Sequence, residues 1–363
     1  MIKDKKAPQI RFKNFNDDWE QCKLGKIYSF QYGEFNNNPD NGGIYPIYGA
    51  NGIIGGYTKY NAKDSVIIGH MGEYAGSVLW GKGKHFVTYN GTISRTKNDS
   101  ILSRFGYYML LQKNINKICG GSGLPFLSYE QLNKIHINFS SNINEQFKIV
   151  EFLTSLDNLI TLHQRKVEKL EIFKKAMLEK MFPKTGEKVP EIRFKNFTAD
   201  WEQCKLMYIL ETLSFRTFIK EPERGGIYEI IQQGDDPIIR FANGNPCLDY
   251  KDIVIFGDHT LSLYKPKSPF FIATDGVRII RGKRKIYGYY LLNILRKYKP
   301  KSEGYKRYFG ILKNTNCYFT KDIKEQNKIG NLFKQLDNLI TLHQREVENL
   351  KIFKEAMLEK MFV

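Results

Sequence analysis

From Leu153 to Met181 one set of positions recurs at alternating intervals of three and four residues: Leu153, Leu156, Ile160, His163, Val167, Leu170, Lys174, Met177 and Met181. This is the seam of a heptad helix, mostly apolar and flanked by polar and charged residues. The series returns as Phe333, Leu336, Ile340, His343, Val347, Leu350, Lys354, Met357 and Met361. The pattern predicts two long helices that pair with each other. The first is stopped by "MFPKTGEKVPEIRF", where Pro183, Gly186 and Pro190 turn the chain. A whole globular segment follows before the second helix. That connection predicts an antiparallel pair whose C-terminal end comes back to the first half of the chain. His163 and His343 read as hydrogen-bonded packing groups that help set register, because no Cys or carboxylate joins them at a metal site's spacing.

Outside the seams the periodicity drops towards two. "SVIIGH" and "HFVTYNGTISRT" read as strands and "GYYMLLQKNI" as a short helix. "GGSGLPFLSYEQLNKIHINF" reads as a loop, a turn of helix and a last strand. In the second half "DIVIFGD", "FFIATDGVRIIRG" and "YGYYLLNIL" repeat the order strand, strand, helix. The two middles therefore suggest one α/β fold written in unrelated residues.

The ends, by contrast, are nearly identical. "PQIRFKNFNDDWEQCKL" from Pro8 returns as "PEIRFKNFTADWEQCKL" from Pro190, a shift of 190 − 8 = 182 residues. "EQFKIVEFLTSLDNLITLHQR" from Glu145 returns as "EQNKIGNLFKQLDNLITLHQR" from Glu325, a shift of 325 − 145 = 180. Shared ends imply one common job; unlike middles imply a separate job for each. The chain divides into a first domain at 1–144, a helix at 145–182, a linker at 183–189, a second domain at 190–324 and a second helix at 325–363.

Charge sharpens the picture. The chain carries 56 Lys and Arg against 38 Asp and Glu, a net +18, which suits a nucleic-acid partner. Basic and amide residues interleave with Tyr and Phe in "YGANGIIGGYTKYN" and "EGYKRYFGILKN". Five scattered cysteines without a C-x-x-C argue against a disulfide framework or a zinc site. "MIKDKKAPQI" lacks a signal peptide's apolar run, and no stretch nears the roughly 18 apolar residues of a membrane span. A cytoplasmic location is expected. There is no phosphate-cradling G-x-x-x-x-G-K-[ST] and no N-P-P-[FY] of the amino-methyltransferases, so no catalytic residue and no metal site is assigned.

Two variable middles, each led in by "P-x-I-R-F…W-E…K-L" and followed by the same long helix, resemble the specificity subunit of type I restriction-modification systems. "YPIYGANGIIGGYTKYN", "VIIGHMGEYAGSVLW" and "EQFKIVEFLTSLDNLI" look like one half of such a subunit. "DIVIFGDHT", "GYKRYFGILKN" and "EQNKIGNLFKQLDNLI" look like the other. The resemblance implies two α/β target recognition domains in tandem, separated by two long α-helices that form an antiparallel coiled coil with a pseudo-two-fold repeat. It implies double-stranded DNA as ligand, each domain reading half of a bipartite, asymmetric sequence. It implies two modification subunits that carry S-adenosylmethionine, and restriction/translocase subunits that use ATP and Mg; no cofactor is expected in this chain.

Loop position and side-chain type select candidate DNA contacts. They are Asn51, Lys59, Tyr60, His70, Tyr74, Lys82, Lys84, Asn90 and Ser122 in the first domain. In the second they are Gln232, Gln233, His259, Thr260, Lys265, Lys267, Lys306 and Arg307. The alternatives are a non-enzymatic coiled-coil scaffold with incidental positive charge, and a DNA methyltransferase or nuclease with an unrecognised motif.

Overall fold

The computed structural model describes residues 7–35, 40–120 and 124–363, with Arg284 described by its backbone alone. The long helices run Ile143–Lys180 and Ile323–Met361. The chain forms two compact units, 1–163 with 345–363 and 164–344, so each unit holds a part of both helices. Among the described residues no helix is long and apolar enough to cross a membrane.

In unit 1 the start of the first helix meets the end of the second. The Trp19 indole N–H donates to Glu145 Oε2 at 3.2 Å, and its ring packs on Phe362 at 5.9 Å. Further along, Asp157 pairs with Lys354. In unit 2 Phe182 touches Phe333 and Lys174 pairs with Asp337. The helices are antiparallel, as the connection predicted. Leu153, Leu156, Ile160, Phe333, Leu336 and Ile340 are buried; His163, Val167, Leu170, His343, Val347 and Leu350 are half-buried.

The repeated lead-in has a physical purpose. Arg11 forks onto both oxygens of the fully buried Glu145 at 2.5 and 2.9 Å, and Arg193 does the same to Glu325 at 2.7 and 3.0 Å. Ile10 donates its N–H to the Lys360 carbonyl, and Ile192 to that of Lys180. Each lead-in thus straps the end of one helix to the start of the other. The neighbouring glutamine holds the α/β middle of each unit. Gln146 Oε1 accepts from the Leu102 N–H, and its Nε2 donates to the carbonyls of Ser100 and Ser140. Gln326 accepts from the Tyr287 N–H and donates to the Thr320 carbonyl. All these partners are backbone atoms, so the contact survives a change of side chains in the middle.

The unlike middles share one strand order. Unit 1 has a six-stranded sheet ordered Tyr28–Tyr32, Gly91–Thr96, Ala62–Gly69, Val78–Val87, Tyr45–Gly49, Gly52–Tyr57. Unit 2 has Leu210–Leu213, Val277–Gly282, Ile253–Gly257 and Leu263–Tyr264 in one sheet, then Phe270–Ile272, Tyr228–Ile231 and Ile238–Ala242 in another. The long strand Val78–Val87 is replaced by two short ones, because "KPKSP" at 265–269 places two prolines where a strand needs N–H donors. "HFVTYNGTISRT" and "FFIATDGVRIIRG", each read as one strand, are two strands separated by a turn. The helices Ser103–Gln112 and Gly288–Tyr298 cover the sheets. Their buried faces join Trp19, Phe105 and Leu153 in one core and Trp201, Tyr290 and Phe333 in the other.

Candidate nucleic-acid interface

The two units build the same frame at the end of the central strand. In unit 1 the Gly69 N–H donates to the Ser77 carbonyl, the His70 N–H to that of Asn90, and the Leu127 N–H to that of His70. In unit 2 the Gly257 N–H donates to the Ser262 carbonyl, the Asp258 N–H to that of Gly276, and the Tyr308 N–H to that of Asp258. Both frames require the glycine. A Cβ on Gly69 would lie 2.3 Å from the Tyr74 carbonyl oxygen, and one on Gly257 2.4 Å from Ser262 Oγ. Identical backbone frames therefore present different side chains.

In unit 2 several candidates converge on this frame. The His259 N–H donates to Gln233 Oε1 at 3.0 Å, which ties the half-buried Gln233 side chain to this group. Thr260 Oγ1 donates to Ser262 Oγ at 2.8 Å. Tyr305, 87% exposed, lies flat on the His259 ring at 4.7 Å and 6°. Sequence reasoning passed over Tyr305, although it stands next to Lys306 and Arg307. Behind the frame, the buried Asp258 accepts from Arg278 at 2.8 Å and from the Phe309 N–H at 2.8 Å. Arg307 is exposed and Lys306 half-exposed, paired with Glu303 at 2.6 Å. Gln232 is tied to the Asp236 carbonyl, and Lys267 is exposed away from this group, in the proline-broken strand.

Unit 1 spreads its candidates more widely. Lys84 places its ammonium 4.7 Å from the centre of the Tyr60 ring, beside the exposed Lys59. Lys82 and Lys84 flank Gly83, whose φ of 64° bends the strand outward. Asp64 caps that bend by accepting the Gly83 N–H at 2.7 Å. Asn51 occupies the exposed turn between Tyr45–Gly49 and Gly52–Tyr57, while Tyr74 and Asn90 are exposed on turns beside the strand end. Ser122 lies outside the described residues.

Two candidates are corrected. His70 is fully buried, stacked on Tyr32 at 4.3 Å and edge-on to Tyr89 and Phe126, so its ring cannot reach a base edge. Lys265 is buried too and donates to the Tyr250 carbonyl at 2.7 Å; burial pushes its ammonium down to about 8. Both choices assumed a loop position, but both side chains turn inward, His70 into its aromatic neighbours and Lys265 onto the Tyr250 carbonyl.

His70 should make unit 1 sensitive to acid. Burial lowers its pKa, and the Asn90 backbone beside the ring offsets this only in part. His85 is lowered by burial as well. As pH falls below about 6.5, the unfolded chain takes up these protons before the folded one does. Stability is therefore lost as pH falls from that value towards the depressed folded ones. Denaturant melts at pH 7 and pH 5 should show His70→Phe losing less stability on acidification than wild type. Equal losses would show that His70 does not contribute.

Comparison with known proteins agrees with the geometry. Residues 16–172 match the family described as type I restriction modification DNA specificity domain. The chain is 23% identical to the type I restriction enzyme MjaVIII specificity subunit of Methanocaldococcus jannaschii, over 94% of this chain and 91% of that one. It is 21% identical to a putative type I specificity subunit of Mycoplasma genitalium, over 98% and 96% of the two chains. The crystal structure of a type I restriction-modification S subunit from M. genitalium superposes with a TM-score of 0.78 at 17% identity, covering 98% of this chain and 99% of that one. With its duplicated ends and paired α/β units, the chain is similar along nearly its whole length to type I restriction-modification specificity subunits, and residues 16–172 match that family's DNA specificity domain.

Proposed function

We propose that this chain reads a split, asymmetric DNA sequence, one half with each unit, and positions modification subunits on it. The observation that carries this reading is the duplicated strand-end frame. The same backbone is flanked by the exposed Tyr74 and Asn90 in one unit, and by the Gln233–His259–Tyr305 group in the other. As a specificity subunit the chain is a non-catalytic component of its system. Methyl transfer from S-adenosylmethionine would lie with the modification subunits. ATP- and Mg-dependent translocation and cleavage would lie with restriction subunits, all in the cytoplasm.

The helices support the docking part of this reading. Unit 1 exposes Leu159, Leu162, Ile352 and Phe353; unit 2 exposes Leu339, Leu342, Ile172 and Phe173. Each set is the other shifted by 180 residues, as two copies of one modification subunit would require. The paired helices would also hold the recognition domains at a set separation.

Salt dependence tests DNA as the ligand. With a net charge of +18, phosphate contacts should dominate affinity. Log affinity should fall linearly with log salt, by about 0.9 for each phosphate neutralised. A flat response would favour a protein-binding scaffold instead.

A further inference from the structure

The repeated segment "LDNLITLHQR" contains Asp157 in the first helix and Asp337 in the second, and each carboxylate is held from two directions. In unit 1 Asp157 Oδ2 accepts from Arg104 at 3.0 Å and Oδ1 pairs with Lys354 at 2.5 Å. In unit 2 Asp337 Oδ2 accepts from Arg296 at 2.9 Å and Oδ1 pairs with Lys174 at 2.5 Å. The arginine comes from the recognition domain's helix and the lysine from the opposite long helix. Lys174 and Lys354 stand at seam positions where an apolar residue would pack, and this pairing accounts for them. All six side chains are about one-fifth exposed, so water screens these pairs less than it screens surface ones.

The two arginines are not the same residue repeated. Aligned on the Gly-Tyr-Tyr that both helices contain at Gly106 and Gly288, Arg104 falls two residues before the glycine and Arg296 eight after it. Each middle reaches the shared aspartate from a different turn of its helix and ends on the corresponding oxygen. Unit 1 adds more. The Arg104 guanidinium lies 4.9 Å from the centre of the Trp80 ring and 4.8 Å from that of Tyr107, and Tyr108 OH donates to Asp157 at 2.6 Å.

We infer that Asp157 and Asp337 are positioning residues that lock each recognition domain to the helix pair, and so set which spacer between half-sites is accepted. The inference rests on the split-site reading above. The Gln146 and Gln326 contacts attach a middle at its backbone; the aspartate clamp fixes the angle at which it stands.

The test uses the full chain assembled with its modification subunits. The substrates are duplexes carrying both half-sites, with the spacer changed one base pair at a time. Asp157→Asn and Asp337→Asn should each raise methylation of neighbouring spacers relative to the native one by about tenfold, the ratio that a lost charge-assisted hydrogen bond carries. The half-site sequences should stay the same. Asp157→Glu should restore part of the discrimination. Lys354→Met keeps the seam packed and should broaden the spacer as well, which provides a second reading if Asp157→Asn misfolds. Hydrogen exchange on the full chain alone reads the clamp without DNA: Ser103–Gln112 should exchange faster in Asp157→Asn. An unchanged spacer profile overturns the inference, whether or not exchange changes. A wild type indifferent to spacer sinks the split-site reading instead, and exchange alone then decides whether the clamp locks the domain, with unchanged exchange overturning it.

Discussion

Glu145→Gln should destabilise unit 1 by about 3–4 kcal/mol, the lower part of the range for breaking a buried ion pair. Glu145 has no exposed surface and is held by both arms of Arg11 and by the Trp19 N–H. The amide removes the charge that balances a guanidinium with only 13% of its side chain in water. It also turns one acceptor into a donor aimed at other donors. Glu325→Gln removes the matching pair in unit 2 but should cost less, because the Trp201 N–H does not depend on it; that atom has no partner among the described residues. Two-state unfolding is a rule for small single domains and this chain has two compact units, so one melting midpoint does not suffice. Hydrogen exchange resolved by segment, at increasing denaturant, would show which unit opens first. A Glu145→Gln protein within about 0.5 kcal/mol of wild type, the scatter of ordinary surface changes, would mean that the strap is not what holds the helix ends.

Exchanging residues 25–144 for the corresponding middle of another family member should change one half of the recognised sequence and leave the other untouched. Affinity for the original site should fall by about a thousandfold or more, the usual gap between specific and non-specific binding. The structure explains why such a graft can seat. Gln146 grips backbone atoms at Ser100, Leu102 and Ser140, all three inside the grafted segment, and any sequence supplies those. Gly25, where a Cβ would lie 2.1 Å from Asn133 Oδ1, travels together with Asn133. The donor middle must also bring a cation able to reach Asp157, or the graft will bind with a loosened spacer. Methylated-motif mapping with the partner subunits reads the result. A change in both halves would end the modular account.

Some of this was legible before any fold was known. The heptad seams, the stop at Pro183 and the duplicated lead-ins depend only on order along the chain, and they yielded two paired helices and two similar halves. Alternation in "SVIIGH" and "DIVIFGD" marked the central strands. The repeated Arg, Trp and Glu-Gln could be seen to matter, but not why. The arginine and glutamate of each strap lie more than a hundred residues apart, as with Arg11 and Glu145, and no local pattern carries that distance.

The candidate contacts show the same division. Side-chain type and turn signals selected Gln233, His259, Thr260, Lys59, Tyr60 and Lys84 as candidates, but could not say which share a surface. Tertiary closure grouped the first three with Tyr305, set Lys84 over Tyr60, and turned His70 and Lys265 into the interior. It also brought Arg104 and Arg296, from unrelated sequences, to equivalent aspartates. Periodicity, repetition and net charge are properties of the chain as a line, and the sequence by itself determined the helices, the duplication and a basic, DNA-suited character. Orientation and convergence depend on how sheets close and helices cross, and only the tertiary structure decided which residues face outward together and what holds them there.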